Sequence, residues 1–167
     1  PDGNHESWGE YPETEERFGS VLGRNQAYIK MTVAKPDKSC FVSFYQHIRR
    51  FRIYGQDGKL KRDVILDLFP GQECPEVDDN MRLIHPICVY TTDNYIYTLN
   101  LDMTTEDVED RKTTPNIQVF DWEGKPLIQY KLDCFINTFA VDEVAHKIYG
   151  VFVEDEDHIY VFNLPQL

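Results

Sequence analysis

The sequence has no long apolar run and no excess of basic residues. No apolar stretch approaches the roughly 20 residues that a membrane-spanning helix needs. The chain carries 29 Asp and Glu against 17 Lys and Arg, a formal net charge of −12. Binding to nucleic acid or to anionic membranes depends on neutralising phosphates with basic side chains. The composition therefore argues against both kinds of partner.

Cysteine is scarce, and its spacing excludes a dense disulfide scaffold. The four cysteines lie far apart, without a Cys-x-x-Cys pair: Cys40, Cys74, Cys88 and Cys134. Their even number permits disulfides, but a chain of 167 residues can bury a core without them. A zinc site built from Cys74, His85 and Cys88 matches no familiar tetrahedral spacing. We expect free or partly buried thiols.

Helical periodicity and catalytic motifs are also nearly absent. The chain contains no Gly-x-Ser-x-Gly elbow, phosphate-binding loop or dinucleotide fingerprint. Nothing in it demands catalysis, so the sequence favours a protein that is not an enzyme without deciding the matter.

Short runs rich in Val, Ile, Tyr, Phe and Thr are abundant, separated by Gly, Asp, Asn and Pro. Such runs are typical of strands joined by tight turns. We predict eleven strands, near residues 26–34, 39–46, 49–55, 59–66, 84–92, 94–101, 116–122, 125–132, 136–142, 146–153 and 158–164. Without crossover helices, they predict an all-β protein with antiparallel sheets.

The strands repeat in sets. The segment Phe51 to Gly58 is echoed by Ile117 to Gly124, and a third copy begins at His158. Asp-containing turns at Asp37, Asp93 and Asp142 are spaced by 56 and 49 residues. A unit of about 40–50 residues with four antiparallel strands is typical of a propeller blade. We predict a partial β-propeller of two and a half to three blades, near 26–66, 84–132 and 136–164, after an N-terminal extension over 1–25.

Several of these motifs resemble the TolB-like six-bladed propeller family of Bacteroides-type bacteria. They include Ile117 to Pro126, Phe139 to Asp142, Lys147 to Gly150 and Thr91 to Tyr97. The resemblance runs from about residue 9 to 164 and aligns with the C-terminal half of the family. It implies an exported protein of the periplasm or cell surface, in some members lipid-anchored.

A six-bladed ring needs about twice this length, and the third predicted blade lacks its outermost strand. We therefore expect a fragment, a truncated product, or a half-ring that a second copy completes as a homodimer. Unpaired sheet edges would favour such association.

Blade topology predicts that the long connections lie on one face. The segments 69–83, 101–115 and 153–158 belong to that face and hold 13 of the 29 acidic residues. Long loops clustered on one side of a rigid scaffold are where binding usually occurs. The candidate ligand-binding residues are His47, Asp78, Asp79, Arg82, Glu106, Asp107, Glu109, Asp110, Glu154, Asp155, Asp157 and His158.

Three functions are compatible with this pattern. The first is a noncatalytic module that binds a protein or a small polar or basic ligand through the acidic face. The second is a calcium-dependent hydrolase resembling propeller lactonases and arylesterases, since clustered carboxylates can supply calcium ligands. No Asp-x-Asp-x-Asp-Gly loop supports that calcium site. The third is a structural half-propeller that self-associates. A solvated acidic loop surface would produce the same sequence pattern.

Overall fold

Eleven strands form three antiparallel sheets in the computed structural model, which describes residues 7–9, 18–66, 74–110 and 113–164. The first sheet pairs, in order, β1 (Lys30–Ala34), β2 (Cys40–Tyr45), β3 (Arg50–Gly55) and β4 (Leu60–Ile65). The second pairs β5 (Ile84–Thr91), β6 (Tyr95–Met103), β7 (Asn116–Asp121) and β8 (Pro126–Lys131). The third pairs β9 (Thr138–Asp142), β10 (Lys147–Phe152) and β11 (Asp155–Asn163).

The three sheets follow one another around a common inner edge. Strand β5 contacts both β1 and β9, so the first strands of the sheets are neighbours. The remaining strands of each sheet lead away from that edge in sequence order. Sheets of four, four and three strands in this arrangement form a partial propeller, which confirms the predicted fold class.

Two apolar layers hold the sheets together, because alternate residues of a strand point to opposite faces. Phe44 and Phe51 of the first sheet face the second, where the Phe51 and Phe120 ring centroids lie 5.0 Å apart. On the opposite face of the second sheet, Leu99 packs in a cluster that includes Ile148 of the third sheet. All five side chains are less than 5% exposed.

A short helix, α1 (Val21–Ala27), precedes the first sheet, where the sequence predicted an extension and the start of a strand. Its N-cap is Ser20, whose Oγ accepts a hydrogen bond from the Gly23 N–H at 3.0 Å. Strand β1 therefore begins at Lys30 rather than at residue 26. Seven residues are too few to show a helical period in the sequence.

The last strand also differs from its prediction. The sequence placed a connection over 153–158, but β11 begins at Asp155, and only residues 153 and 154 form the turn. Consecutive acidic residues have low strand propensity, which hid the beginning of β11.

The outer faces of the two end sheets are different. On the first sheet, the Trp8 ring stacks on Phe41 at 6.2 Å, and the Tyr28 ring meets Tyr45 edge-on at 6.2 Å. The third sheet instead exposes an apolar stripe on the face opposite its core: Ala140, Tyr149, Val151, Ile159 and Val161. Residues from before the first sheet thus cover the middle strands on its outer face, whereas the apolar stripe on the third sheet is exposed.

Candidate binding face

Antiparallel topology places the long connections at one end of the sheets. The described parts of the β4–β5 connection (66 and 74–83) and of the β6–β7 connection (104–110 and 113–115) lie at this end, together with the β2–β3 and β10–β11 turns. We call it the long-loop face. The opposite end carries the short turns β1–β2, β3–β4, β5–β6, β7–β8 and β9–β10.

Residues 76–82 form a compact loop on this face, held together by a buried arginine. Arg82 is 5% exposed, and its Nε donates to the Glu76 carbonyl at 2.8 Å. Its Nη2 donates to the Val77 carbonyl at 3.0 Å, and its guanidinium also pairs with the Asp79 carboxylate. A planar guanidinium that satisfies several acceptors at once fixes the geometry of the loop. We call this segment the Arg82 loop.

The Arg82 loop displays acidic and apolar side chains side by side. Val77 is 48% exposed and Met81 is 63% exposed, with Asp78 between them in the sequence. Asp78 Oδ1 accepts the Asn80 N–H at 3.0 Å and so caps the 3-10 turn Asp79–Met81. The loop therefore offers preorganised apolar contacts with negative charge around them.

His47 anchors the Arg82 loop to the first sheet. Its Nδ1 lies 2.9 Å from the Leu83 carbonyl oxygen, and the His85 N–H donates to the Gln46 carbonyl at 2.8 Å. Burial lowers the pKa of His47, although the hydrogen bond with Leu83 opposes this effect. The predicted site residues His47, Asp78, Asp79 and Arg82 thus lie in or against one loop, with Arg82 directed into it.

The β6–β7 connection contains α2 (Thr105–Glu109) and the second group of predicted acids: Glu106, Asp107 and Glu109 lie in α2, and Asp110 is its C-cap. Thr104 is its N-cap, and its Oγ1 accepts the Asp107 N–H at 3.3 Å. Glu106 and Asp107 occupy the first turn, where the exposed N–H groups of a helix favour negative charge. Part of this acidity therefore stabilises α2 itself.

The third predicted group, Glu154, Asp155, Asp157 and His158, lies at the β10–β11 turn and the start of β11. Asp155 accepts hydrogen bonds from the Tyr160 hydroxyl and from His158 Nδ1, both at 2.6 Å. These bonds hold the pKa of Asp155 below its ordinary value. Asp155 and His158 are thus brought together, and Glu154, Asp157 and His158 are exposed.

A further polar cluster on the long-loop face was not predicted as a site. The carboxylate of Asp102, near the end of β6, contacts three side chains. Its Oδ1 lies 2.9 Å from His85 Nδ1 and 3.1 Å from Arg49 Nη2, and its Oδ2 accepts a hydrogen bond from Asn116 Nδ2 at 3.3 Å. Burial raises the pKa of Asp102, but the His85 bond and the Arg49 charge outweigh it and leave the pKa lowered. No pattern in the sequence links residue 49 to residue 102.

The calcium site stays a prediction from the sequence. Within the part of the chain that the structure describes, no group of three or more His, Cys, Asp or Glu side chains is placed to hold a metal ion. The described helices include none that is long and apolar enough to cross a membrane.

The comparison with protein-family models agrees with the propeller architecture. The family model described as TolB-like 6-blade propeller-like matches residues 87–144, from β5 into the β9–β10 turn. No curated protein sequence matches. A solved structure titled "Complex of KlAtg21 with coiled-coil of AgAtg16" is similar over 80% of this chain, at 10% sequence identity and a TM-score of 0.41. This chain spans 41% of the length of that protein chain.

Proposed function

We propose that the chain is a noncatalytic binding module that engages a protein partner through its long-loop face. The observation that carries the proposal is the Arg82 loop, which exposes Val77 and Met81 beside acidic side chains while Arg82 fixes its shape. Preorganised loops bind with a smaller loss of conformational entropy than mobile ones. The partner surface that fits is basic with apolar side chains.

The wider setting of this function rests on resemblance. The TolB-like match over residues 87–144 supports a propeller-like protein. That it comes from an exported, periplasmic or surface protein of a Bacteroides-type bacterium stays a prediction from the sequence resemblance, as does a ring of six blades.

The test uses a display library of random nonapeptides selected on the immobilised chain. We expect one enriched class to combine Lys or Arg with apolar residues, and to lose about tenfold or more in affinity on Met81→Glu. Glu76→Lys should also weaken this class, because it reverses an exposed charge while the backbone carbonyl that Arg82 uses remains. Arg82 itself is unsuitable as a test position, since its replacement would release the loop.

The matched control is Val144→Glu, an equal change at a side chain that is 93% exposed in the β9–β10 turn on the opposite face. It should leave the basic class unchanged. If no basic-apolar class is enriched, or if that class binds the Met81→Glu variant as well as the original chain, the partner does not use the Arg82 loop.

Self-association is a second candidate function, and the open apolar stripe on the third sheet favours it. A half-ring dimer would place this stripe against the first sheet of another copy. That outer face already contacts Trp8 and the segment of Tyr28. The contact that requires no rearrangement is between the third sheets of two copies.

A further inference from the structure

An apolar groove runs between the outer strands of the first and second sheets. It has a volume of about 470 Å³, within the range of ligand sites in proteins. Its walls are Val64, Ile65 and Leu66 at the end of β4 and, on the second sheet, mainly Phe120, Leu127 and Ile128. Ile65 is 59% exposed and Leu127 is 38% exposed, so the apolar walls are open to solvent.

The groove is bordered by different residues at its two ends. Towards the short turns, Arg62 of β4 pairs with Glu123 of the β7–β8 turn and so links the two sheets. Towards the long-loop face, Leu66 and Gln118 line both the groove and the small pocket beside Asp102. The space between the sheets is thus apolar outside and polar at its inner end.

The strands beside this groove are basic, in contrast to the rest of the chain. Residues 59–65 and 123–131 contain five basic residues and two acidic ones. Arg62 pairs with Glu123, Lys59 pairs with Asp57, and Asp63 pairs with two arginines of β3. Among the described residues, no ion pair involves the three remaining cations, Lys61, Lys125 and Lys131.

Both flanking strands also offer backbone groups. Strands β4 and β8 are the last strands of their sheets, so each has an edge without a neighbouring strand in the described chain. An extended peptide can pair with such an edge and place alternate side chains into a nearby groove. A small apolar molecule would use the groove but neither the strand edges nor the basic residues.

We propose that the groove between β4 and β8 binds an extended peptide whose apolar side chains are flanked by Asp or Glu. The apolar residues enter the groove, the backbone pairs with a strand edge, and the acidic residues meet Lys61, Lys125 and Lys131. This site shares no lining residue with the Arg82 loop and selects peptides of the opposite charge, so it goes beyond the proposed function.

The test uses the same library of random nonapeptides. We expect a second enriched class, with apolar residues flanked by Asp or Glu, that loses about tenfold or more in affinity on Leu127→Glu. The double variant Lys61→Glu, Lys125→Glu should weaken this class, and its affinity for the original chain should fall as salt rises because exposed charges are screened.

The two binding sites are separated by a reciprocal comparison. Leu127→Glu should leave the basic class bound at the Arg82 loop, Met81→Glu should leave the acidic class bound, and Val144→Glu should leave both. Retained binding of the basic class by Leu127→Glu also shows that this variant folds. The proposal is overturned if no acidic-apolar class is enriched, or if that class binds the Leu127→Glu chain unchanged. Equal binding by the Lys61→Glu, Lys125→Glu chain would overturn the charge selectivity.

Discussion

Asp102 shows how a single residue can join two sheets on the long-loop face. Its backbone φ of 57° lies in the left-handed region, which Asp and Asn tolerate better than most other residues. In this conformation its carboxylate reaches His85 on β5, Asn116 on β7 and Arg49 ahead of β3. The contact with Arg49 links the second sheet to the first.

The variant Asp102→Asn should destabilise the fold by about 2 kcal/mol near neutral pH, because it removes a negative charge that pairs with the mostly buried side chain of Arg49. Asn keeps the shape and tolerates the left-handed backbone, so the change tests charge. The folded pKa of Asp102 is lowered. Its stabilisation is therefore complete above the unfolded pKa of about 4 and lost as pH falls through the lower folded value. Urea unfolding at several pH values should show the difference from the original chain shrinking on acidification.

Asp93→Asn is the control, since Asp93 is exposed in the β5–β6 turn. It should change the unfolding free energy much less. A difference between Asp102→Asn and the original chain that stays constant down to the lowest pH would show that the carboxylate charge is not what stabilises this cluster.

The sequence predicted in which loop the acidic residues lie, but it did not predict which side chains they contact. It assigned Asp78, Asp79 and Arg82 to one loop on one face, where the structure has them. It could not show that Arg82 turns inward, because a charge in a polar segment looks the same whether it bonds the loop or faces solvent. Nor could it identify Val77 and Met81 as exposed, since isolated apolar residues in a loop carry no periodic signal.

At the scale of elements, the repeated turns explain why the strand order was predictable. Asp57 accepts the Lys59 N–H at 3.2 Å, and Asp121 accepts the Lys125 N–H at 2.8 Å. Each turn then uses a glycine with positive φ, Gly58 at 74° and Gly124 at 86°. These requirements are local, so they are visible in the sequence. The first residues of β1 and β11 depend on α1 and on tertiary pairing, and neither is visible in the sequence.

Gly124→Ala should destabilise the protein by about 2 kcal/mol more than Gly19→Ala. Both glycines have left-handed φ, 86° and 63° respectively. A Cβ at Gly124 would lie 2.5 Å from Val64 Cγ2 on the first sheet, whereas a Cβ at Gly19 meets nothing within 4 Å. The difference between the two losses of stability therefore measures the steric clash with Val64 separately from backbone strain, which both variants share.

Urea midpoints of the two glycine variants, measured with the original chain, provide the comparison. Equal losses of stability in both variants would mean that the β7–β8 turn does not pack closely against β4. The Gly124 contact is the kind of long-range constraint that no turn motif predicts.

At the scale of the whole molecule, the first and third sheets differ in how much of their outer face is exposed. The sequence predicted unpaired ends because blade counting left the third blade one strand short. It did not identify Phe41 as the ring on which Trp8 stacks, since one aromatic residue in a polar N-terminal segment has no pattern. The open stripe on the third sheet follows directly from strand alternation, with Val161 54% exposed and Ile159 67% exposed.

If the third sheet mediates self-association, Val161→Lys should convert a dimer into a monomer, because it places a charge in the centre of an apolar contact. The measurement is light scattering on a size-exclusion column across a range of protein concentrations. Val144→Lys, at a 93% exposed turn residue, should leave the mass unchanged. A mass that is monomeric at every concentration, or a dimer that Val161→Lys does not alter, would contradict this mode of assembly.

If copies associate through their third sheets, the Trp8 and Tyr28 contacts on the first sheet limit each copy to one contact of this kind. A molecule with two complementary binding surfaces can polymerise, because heterologous contacts that do not close into a ring produce filaments. Here the Trp8 and Tyr28 contacts occupy the outer face of the first sheet, so pairing between third sheets leaves no second apolar stripe of the same kind on either copy. As the protein concentration rises, the mass in solution should then increase to that of a dimer and not beyond it. The aromatic contacts of Trp8 and Tyr28 with the first sheet would thus prevent the assembly from growing beyond two copies.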